Sequence, residues 1–364
     1  MRDRFGREID YMRISVIDSC NLNCYYCNPQ DNNKNCQAIN TLSVKKVLCI
    51  VRAATRLGIT HFRLTGGEPL LHPQIDEMVS QIKKIPGVRS VSLTTNAVLL
   101  AQHAKQLKEA GIDSINVSLD TIDASEYEHI TKKPLLDKVE HGIDAAIECG
   151  IRVKINVVLT PQTDVVALTR YASKKGTDIR FIEMMPVGEG HTNGVEPYEK
   201  VIGTLSELYG EPYCVNTGKT KEINSGYNKY KEERKNPDNG PAEYYSFHGL
   251  DIRVGLIQAI HGKFCDACNR IRVTADGRLM PCLGSSVTMD LVPDSCEFTD
   301  DLEKNFVIVQ ALKAAIKAKP GCHNFNDNAV TYTKTTETKT TKIKTTELKA
   351  AEVNAARNMS RIGG

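Results

Sequence analysis

Between Tyr11 and about Met185 the chain alternates short β-type runs with longer amphipathic stretches, and this alternation limits the fold more than any other feature. The β runs lie near 12–17, 61–65, 90–95, 114–120, 152–159 and 178–184. Helical patterns lie near Ser43–Leu57, Pro73–Ile85, Leu100–Ala110, Leu136–Cys149 and Asp164–Lys175, with apolar spacing such as Ile75, Met78, Val79, Ile82. Successive βα units predict a parallel sheet with right-handed crossovers, either open or closed into part of a barrel. A chain of 364 residues has room for one large α/β domain or two smaller ones.

Strands buried on both faces read as continuous apolar runs, and several of these do not. In Ile115-Asn116-Val117-Ser118-Leu119-Asp120 one face is Ile, Val and Leu and the other Asn, Ser and Asp. The same split occurs at Val153-Lys154-Ile155-Asn156-Val157, Phe62-Arg63-Leu64-Thr65 and Met12-Arg13-Ile14-Ser15. With helices on the apolar face, the polar face lines either a ligand-filled space or bulk solvent; a side-chain-filled eight-stranded barrel does not fit. The second strand runs into Gly66-Gly67-Glu68-Pro69, at the strand edge where parallel sheets bind ligands.

Immediately after the first strand, Cys20, Cys24 and Cys27 are spaced C-x3-C-x2-C. Three thiolates hold three irons of a [4Fe–4S] cluster and leave the fourth open; structural zinc, with Cys36 as fourth ligand, is the competing reading. Beyond Met185 the pattern breaks. Residues 186–197 form a Gly-rich stretch, Tyr198–Leu208 reads as helix and Asn216–Pro241 as a polar excursion, before possible strands at Tyr244–Phe247 and Leu250–Leu256. A second triplet follows: Cys265, Cys268 and Cys282, with Asp276-Gly277 as a hairpin turn carrying Cys282 back towards Cys268. His261 is a possible zinc ligand here, but two independent triplets, each one ligand short, favour two [4Fe–4S] clusters. The other six Cys, Cys322 among them, read as packing or surface residues.

Arg270 and Arg272, two apart on one strand face, join Arg13, Arg63 and Lys154 as five cations on the polar side. Buried together they require an anionic partner, and Arg forks match phosphate oxygens, so the expected ligand is a polyphosphate. The net charge of +3 gives no case for a nucleic-acid or membrane surface. No apolar segment follows the charged N-terminus, which predicts a cytoplasmic protein whose many Cys are thiols or metal ligands. Thr331–Lys349 is a Thr/Lys-rich low-complexity stretch, and the chain ends Gly363-Gly364. Expected divisions are a core over 1–185, a C-terminal domain over 186–330 and a tail over 331–364.

Over nearly its whole length the sequence resembles the radical S-adenosylmethionine enzymes and, within them, the GTP 3′,8-cyclase family. The likeness rests on Asp3-Arg4-Phe5-Gly6-Arg7, the first Cys motif with Tyr26, Leu64-Thr65-Gly66-Gly67-Glu68-Pro69-Leu70, Leu93-Thr94-Thr95-Asn96, Ile115–Asp120, Arg180-Phe181-Ile182-Glu183, the second Cys motif with its arginines, and the terminal Gly-Gly. Ser19, Asn23, Asn28 and Ala97 depart from the family pattern, Ala97 standing where Gly often follows Thr-Thr-Asn. The resemblance implies a partial (β/α)6 barrel of TIM type with a C-terminal extension carrying the second Fe–S cluster, in a homodimer. It implies that the cluster on Cys20, Cys24 and Cys27 binds S-adenosylmethionine, contacted by Tyr26, Gly67, Ser118 and Met185. The cluster on Cys265, Cys268 and Cys282 would take the guanine of GTP, with Arg13, Arg63, Thr94, Lys154, Arg270 and Arg272 holding the nucleotide. The implied reaction abstracts the ribose 3′ hydrogen and joins C3′ to C8, with Arg272, Gly363 and Gly364 in catalytic roles. An external electron donor would serve it, and cyclic pyranopterin monophosphate synthase would take the product in molybdenum cofactor synthesis. Two rivals are another two-cluster radical enzyme of the peptide-maturase type and a zinc-binding protein without activity.

Overall fold

The computed structural model describes residues 1–27, 40–186, 195–214, 240–285, 288–291 and 302–323. The six β runs are six parallel strands that pair in chain order: β1 (Tyr11–Ser15), β2 (His61–Thr65), β3 (Ser90–Thr95), β4 (Ser114–Ser118), β5 (Arg152–Val158) and β6 (Asp178–Ile182). Later residues extend the same sheet at both edges. β9 (Val254–Ile257) lies parallel to β6, and β10 (Arg270–Val273) lies parallel to β1. Antiparallel strands finish the edges: β8 (Glu243–Ser246) and β7 (Tyr213–Cys214) on one side, β11 (Arg278–Met280) and β12 (Met289–Asp290) on the other. Among the described residues the sheet has twelve strands and runs from β12 to β7 without closing, as a partial barrel does.

Helices α1 (Val44–Thr55), α2 (Ile75–Lys83), α3 (Leu100–Glu109), α5 (Leu136–Glu148) and α6 (Val165–Lys174) occupy the expected crossovers. Ser43 and Asp164 cap α1 and α6 by accepting from the amides of Lys46 and Ala167. The apolar halves of the strands are buried: Met12, Phe62 and Val91 stand in register, as do Ile14, Leu64, Leu93, Ile115 and Val153. Alternation thus delivers one dry face and one polar face, and the dry face holds the core.

Four details differ from the sequence expectation. The β4–β5 crossover contains a second helix, α4 (Ala124–Thr131), started by Asp123 accepting from the Glu126 amide at 2.8 Å. The strand expected over Leu250–Leu256 begins only at Val254, because Gly249, at φ 85°, turns the chain first. The Tyr198 segment opens as a wide π-type turn over Glu199–Gly203 before α7 (Thr204–Tyr209). An unforeseen helix, α8 (Leu302–Ala318), packs on α1 and buries Ile308, Leu312, Ala315 and Ile316. Among the described residues no helix is long and apolar enough to cross a membrane.

Candidate active site

The first Cys loop leaves the C-terminal end of β1 and is fixed from three sides. Gly67 and Glu68 donate backbone hydrogen bonds to Ile17 O and Ser19 O, both at 2.8 Å. A Cβ on Gly67 would lie 2.2 Å from Ser19 O, so the glycine is required for the close approach of two backbones. Gly67 N is thereby tied to the chain leading into the Cys loop. The far side of the loop rests on α4, where Thr131 O and Ile130 O accept from the amides of Asn23 and Tyr25. Asn96, at the end of β3, donates to Asn21 Oδ1 at 2.7 Å and to Cys20 Sγ at 3.8 Å.

Glu68 anchors this end of the sheet. Its buried carboxylate accepts from Leu70 N, Thr95 Oγ1 and Asn96 N, and burial pushes its pKa up to about 7 against those hydrogen bonds. Tyr26 donates to Asp120 Oδ2 at 2.6 Å, and Asp120 accepts also from Val158 N at 2.8 Å. Ser118 is exposed at the end of β4, and half-buried Met185 follows β6, both at the sheet end that carries the loop. Burial raises the thiols of Cys20, Cys24 and Cys27, the last up to about 12, and Cys24 and Cys27 are also raised by their neighbouring thiols. Three desolvated sulfurs that oppose one another's ionisation suit a cationic iron–sulfur core, which removes the protons and neutralises the charge.

Across the polar face, strand register sets the cations in rows. Arg272, Arg13 and Arg63 stand side by side on β10, β1 and β2, and Asn116 and Lys154 side by side on β4 and β5. Arg63 donates to the Tyr11 hydroxyl and, at 3.3 Å, to Thr94 Oγ1. All five expected cations therefore lie on the polar face. Burial lowers Arg13 well below its ordinary value, with Arg272, Arg63 and Arg270 adding repulsion; burial and Arg270 bring Arg272 to about 10. Lys154 is only 2% exposed, and burial, Arg180 and Arg152 bring it to about 7.

A sixth cation, Arg180 on β6, was quoted in the sequence as part of a motif and given no role. It is 4% exposed, and among the described residues its Nε and Nη2 have no hydrogen-bond partner. Asn116 Oδ1, Asn156 Oδ1 and the Tyr244 hydroxyl on the same sheet are likewise buried without a partner among the described residues. Orphaned donors and acceptors and crowded charges of this kind mark a face shaped for an anionic, hydrogen-bonding ligand.

The second Cys group lies at the opposite end of the same strands. Cys265 and Cys268 sit on a helical turn just before β10, and the β10–β11 hairpin, turned at Gly277, returns Cys282 to that end. Arg270, over the Phe264 ring at 5.0 Å, follows directly. Burial opposes ionisation of Cys268, but Arg270 and Lys319 outweigh it and bring the thiol to about 6, whereas burial lifts Cys265 to about 11. A poised thiolate beside two others again fits a cluster. His261 Nδ1 is bonded to the buried Glu183, which also accepts the amides of Ile260 and His261, and among the described residues His261 is not part of the group of ligand atoms around Cys265. Cys322, read as a scattered residue, instead stands beside Cys265 with His323, their ligand atoms within 4.8 Å. The N-terminal Arg7 reaches in too, donating to Cys265 O at 2.8 Å, Pro320 O at 2.6 Å and Gly321 O at 3.0 Å, with Asp3 as its counter-ion. Cys36, Gly363 and Gly364 lie outside the described residues.

Comparisons with known proteins agree with this geometry. Residues 14–168 match the radical SAM superfamily, and residues 177–325 match the molybdenum cofactor synthesis C-terminal family. The GTP 3′,8-cyclase of Clostridium perfringens strain SM101 is 36% identical over 89% of this chain and 95% of its own length. That of Hydrogenovibrio crunogenus is 33% identical over 90% and 95%. Among solved structures, Streptococcus suis SuiB bound to S-adenosylmethionine matches with a TM-score of 0.53 at 16% identity, covering 84% of this chain and 66% of that one, a likeness of fold alone. On this identity and coverage the chain belongs to the GTP 3′,8-cyclase family of the radical SAM superfamily.

Proposed function

We propose that this protein converts GTP to (8S)-3′,8-cyclo-7,8-dihydroguanosine 5′-triphosphate, the first step of molybdenum cofactor biosynthesis. The observation that carries the reading is a buried row of cations between two three-Cys groups at opposite ends of the adjacent parallel strands β1 and β10. A five-residue strand spans about 16 Å, so ligands held at both ends meet over the polar face.

As in its family, the chain uses two [4Fe–4S] clusters and S-adenosylmethionine. Cys20, Cys24 and Cys27 hold one cluster, and Cys265, Cys268 and Cys282 the other. When bound, the reduced first cluster and S-adenosylmethionine supply a 5′-deoxyadenosyl radical able to take a hydrogen from ribose. The protein supplies placement and electrostatics. Tyr26, Gly67, Ser118 and Met185 contact the cofactor; the Tyr26 hydroxyl is bonded to Asp120, so its contact comes from the ring or backbone. Arg13, Arg63, Lys154, Arg270, Arg272 and Arg180 take the triphosphate and guanine, with Thr94 fixed by Arg63. Crowded cations that repel each other in the empty site are relieved by a polyanion, so binding energy is released where the ribose must be oriented. The radical left once C3′ has joined C8 needs one electron, drawn in turn from the external electron donor, and one proton, which Arg272 on the polar face beside Arg13 would donate; Gly363-Gly364 would support cofactor cleavage.

Residues 1–185 form the core, 186–330 the substrate-binding extension and 331–364 the tail. The enzyme works in the cytoplasm as a homodimer with an external electron donor and passes its product to cyclic pyranopterin monophosphate synthase. Reconstituted, reduced protein given GTP and S-adenosylmethionine should yield 5′-deoxyadenosine and the cyclised nucleotide by mass spectrometry. Intact GTP beside 5′-deoxyadenosine would sink the substrate assignment. Full activity after deletion of Gly363-Gly364 would remove that terminus from the mechanism.

A further inference from the structure

Lys319 follows α8 and is 2% exposed, which is unusual for an ammonium. Its Nζ donates to Arg270 O at 2.8 Å and to Pro281 O at 2.9 Å. Arg270 comes two residues after Cys268 and Pro281 immediately before Cys282, so one side chain ties the two stretches that bear the second Cys group. Among the described residues no carboxylate forms an ion pair with it. Arg7 differs: it grips the backbone of the same region, but Asp3 neutralises it at 2.6 Å.

A buried ammonium bonded to carbonyls alone is costly, and an anion at the third position removes the cost. Three thiolates give a [4Fe–4S] group net negative charge, and reduction adds more. A fixed cation bonded to the backbone of both Cys-bearing stretches therefore favours the reduced form and raises the potential. We infer that Lys319 is a positioning residue for the second cluster, joining the Cys268 and Cys282 stretches around it and supplying the buried positive charge that favours its reduced state. The inference rests on the assignment of Cys265, Cys268 and Cys282 to that cluster.

The test compares Lys319→Met and Lys319→Arg with wild type in the reconstituted full chain, by iron analysis and an EPR-monitored redox titration. The first cluster is recognised as the one whose signal changes with S-adenosylmethionine. Lys319→Met should make reduction of the second cluster at least about tenfold less favourable, a fall of about 59 mV for one electron, with the first cluster unmoved and Lys319→Arg near wild type. Selective loss of the second cluster in Lys319→Met, with Lys319→Arg still holding about eight irons, would equally support it. An unmoved potential in a fully loaded Lys319→Met would overturn it, as would loss of the cluster in both variants, since shape rather than charge would then be decisive. A wild type that binds only about four irons would overturn the cluster assignment itself, and this inference with it.

Discussion

Lys154 gives the site its pH dependence. Burial, followed by Arg180 and Arg152, holds its ammonium at about 7 in the ligand-free protein. The unfolded chain keeps that proton to about pH 10.4. Between these values the unfolded state binds more protons, so the stability of the ligand-free protein rises with pH there. Nucleotide binding has the opposite slope, because a bound triphosphate restores the charge and takes up a proton. GTP affinity should fall by up to about tenfold per pH unit above pH 7, and Lys154→Arg should flatten the profile; calorimetry in buffers of different ionisation heat measures both. Equal affinity from about pH 7 to 9 would contradict this role. Ala97 makes a separate prediction: it sits at φ 63° in the left-handed region, with its carbonyl 2.4 Å from where a Cβ on Gly142 would fall. Ala97→Gly should stabilise the fold by about 0.5–1 kcal/mol in urea unfolding. Its departure from the family pattern was visible in the sequence, but the backbone angle that gives it a cost was not. Likewise Arg13, Arg63, Lys154, Arg270 and Arg272 were legible through two-residue alternation, whereas Arg180 became a site residue only once β6 had placed it on the polar face with Nε and Nη2 unpartnered among the described residues.

The Gly66-Gly67 turn joins two elements more than it meets a ligand. Gly67→Ala would drive a Cβ into Ser19 O and displace the first Cys loop, leaving the second cluster's ligands untouched. Iron in the reconstituted variant should drop from about eight to about four, with the cofactor-responsive EPR signal lost; retention of that signal would show that the loop tolerates the displacement. The six strands and five helices of the core were legible because each repeats an apolar pattern long enough to read. α4 was not, being two turns long with only Tyr127, Ile130 and Thr131 buried, and the edge strands β7 and β12 have two residues each, too few to show alternation. The hairpin that returns Cys282 was legible from Asp276-Gly277 alone. The strap from Lys319 to His323 was not, since its function depends on carbonyls about 40 to 60 residues away: Pro281 for Lys319, and Ala259, which accepts from His323.

At the scale of the molecule, one sheet holds two Cys groups apart and fills the space between them with positive charge. That charge is stored against stability, and Arg180→Met should expose the trade. Removing a buried cation with orphaned donors should raise the melting temperature of the ligand-free protein while weakening GTP binding roughly thirtyfold or more. A variant that loses both stability and affinity would point to a packing role instead. In the proposed reaction the nucleotide lies with its ribose turned towards the first Cys loop and its base towards the second. GTP deuterated at the ribose 3′ carbon, turned over once by the reduced enzyme, should therefore transfer its deuterium to 5′-deoxyadenosine, detected as a one-dalton gain by mass spectrometry. Unlabelled 5′-deoxyadenosine formed alongside cyclised, still deuterated nucleotide would contradict it.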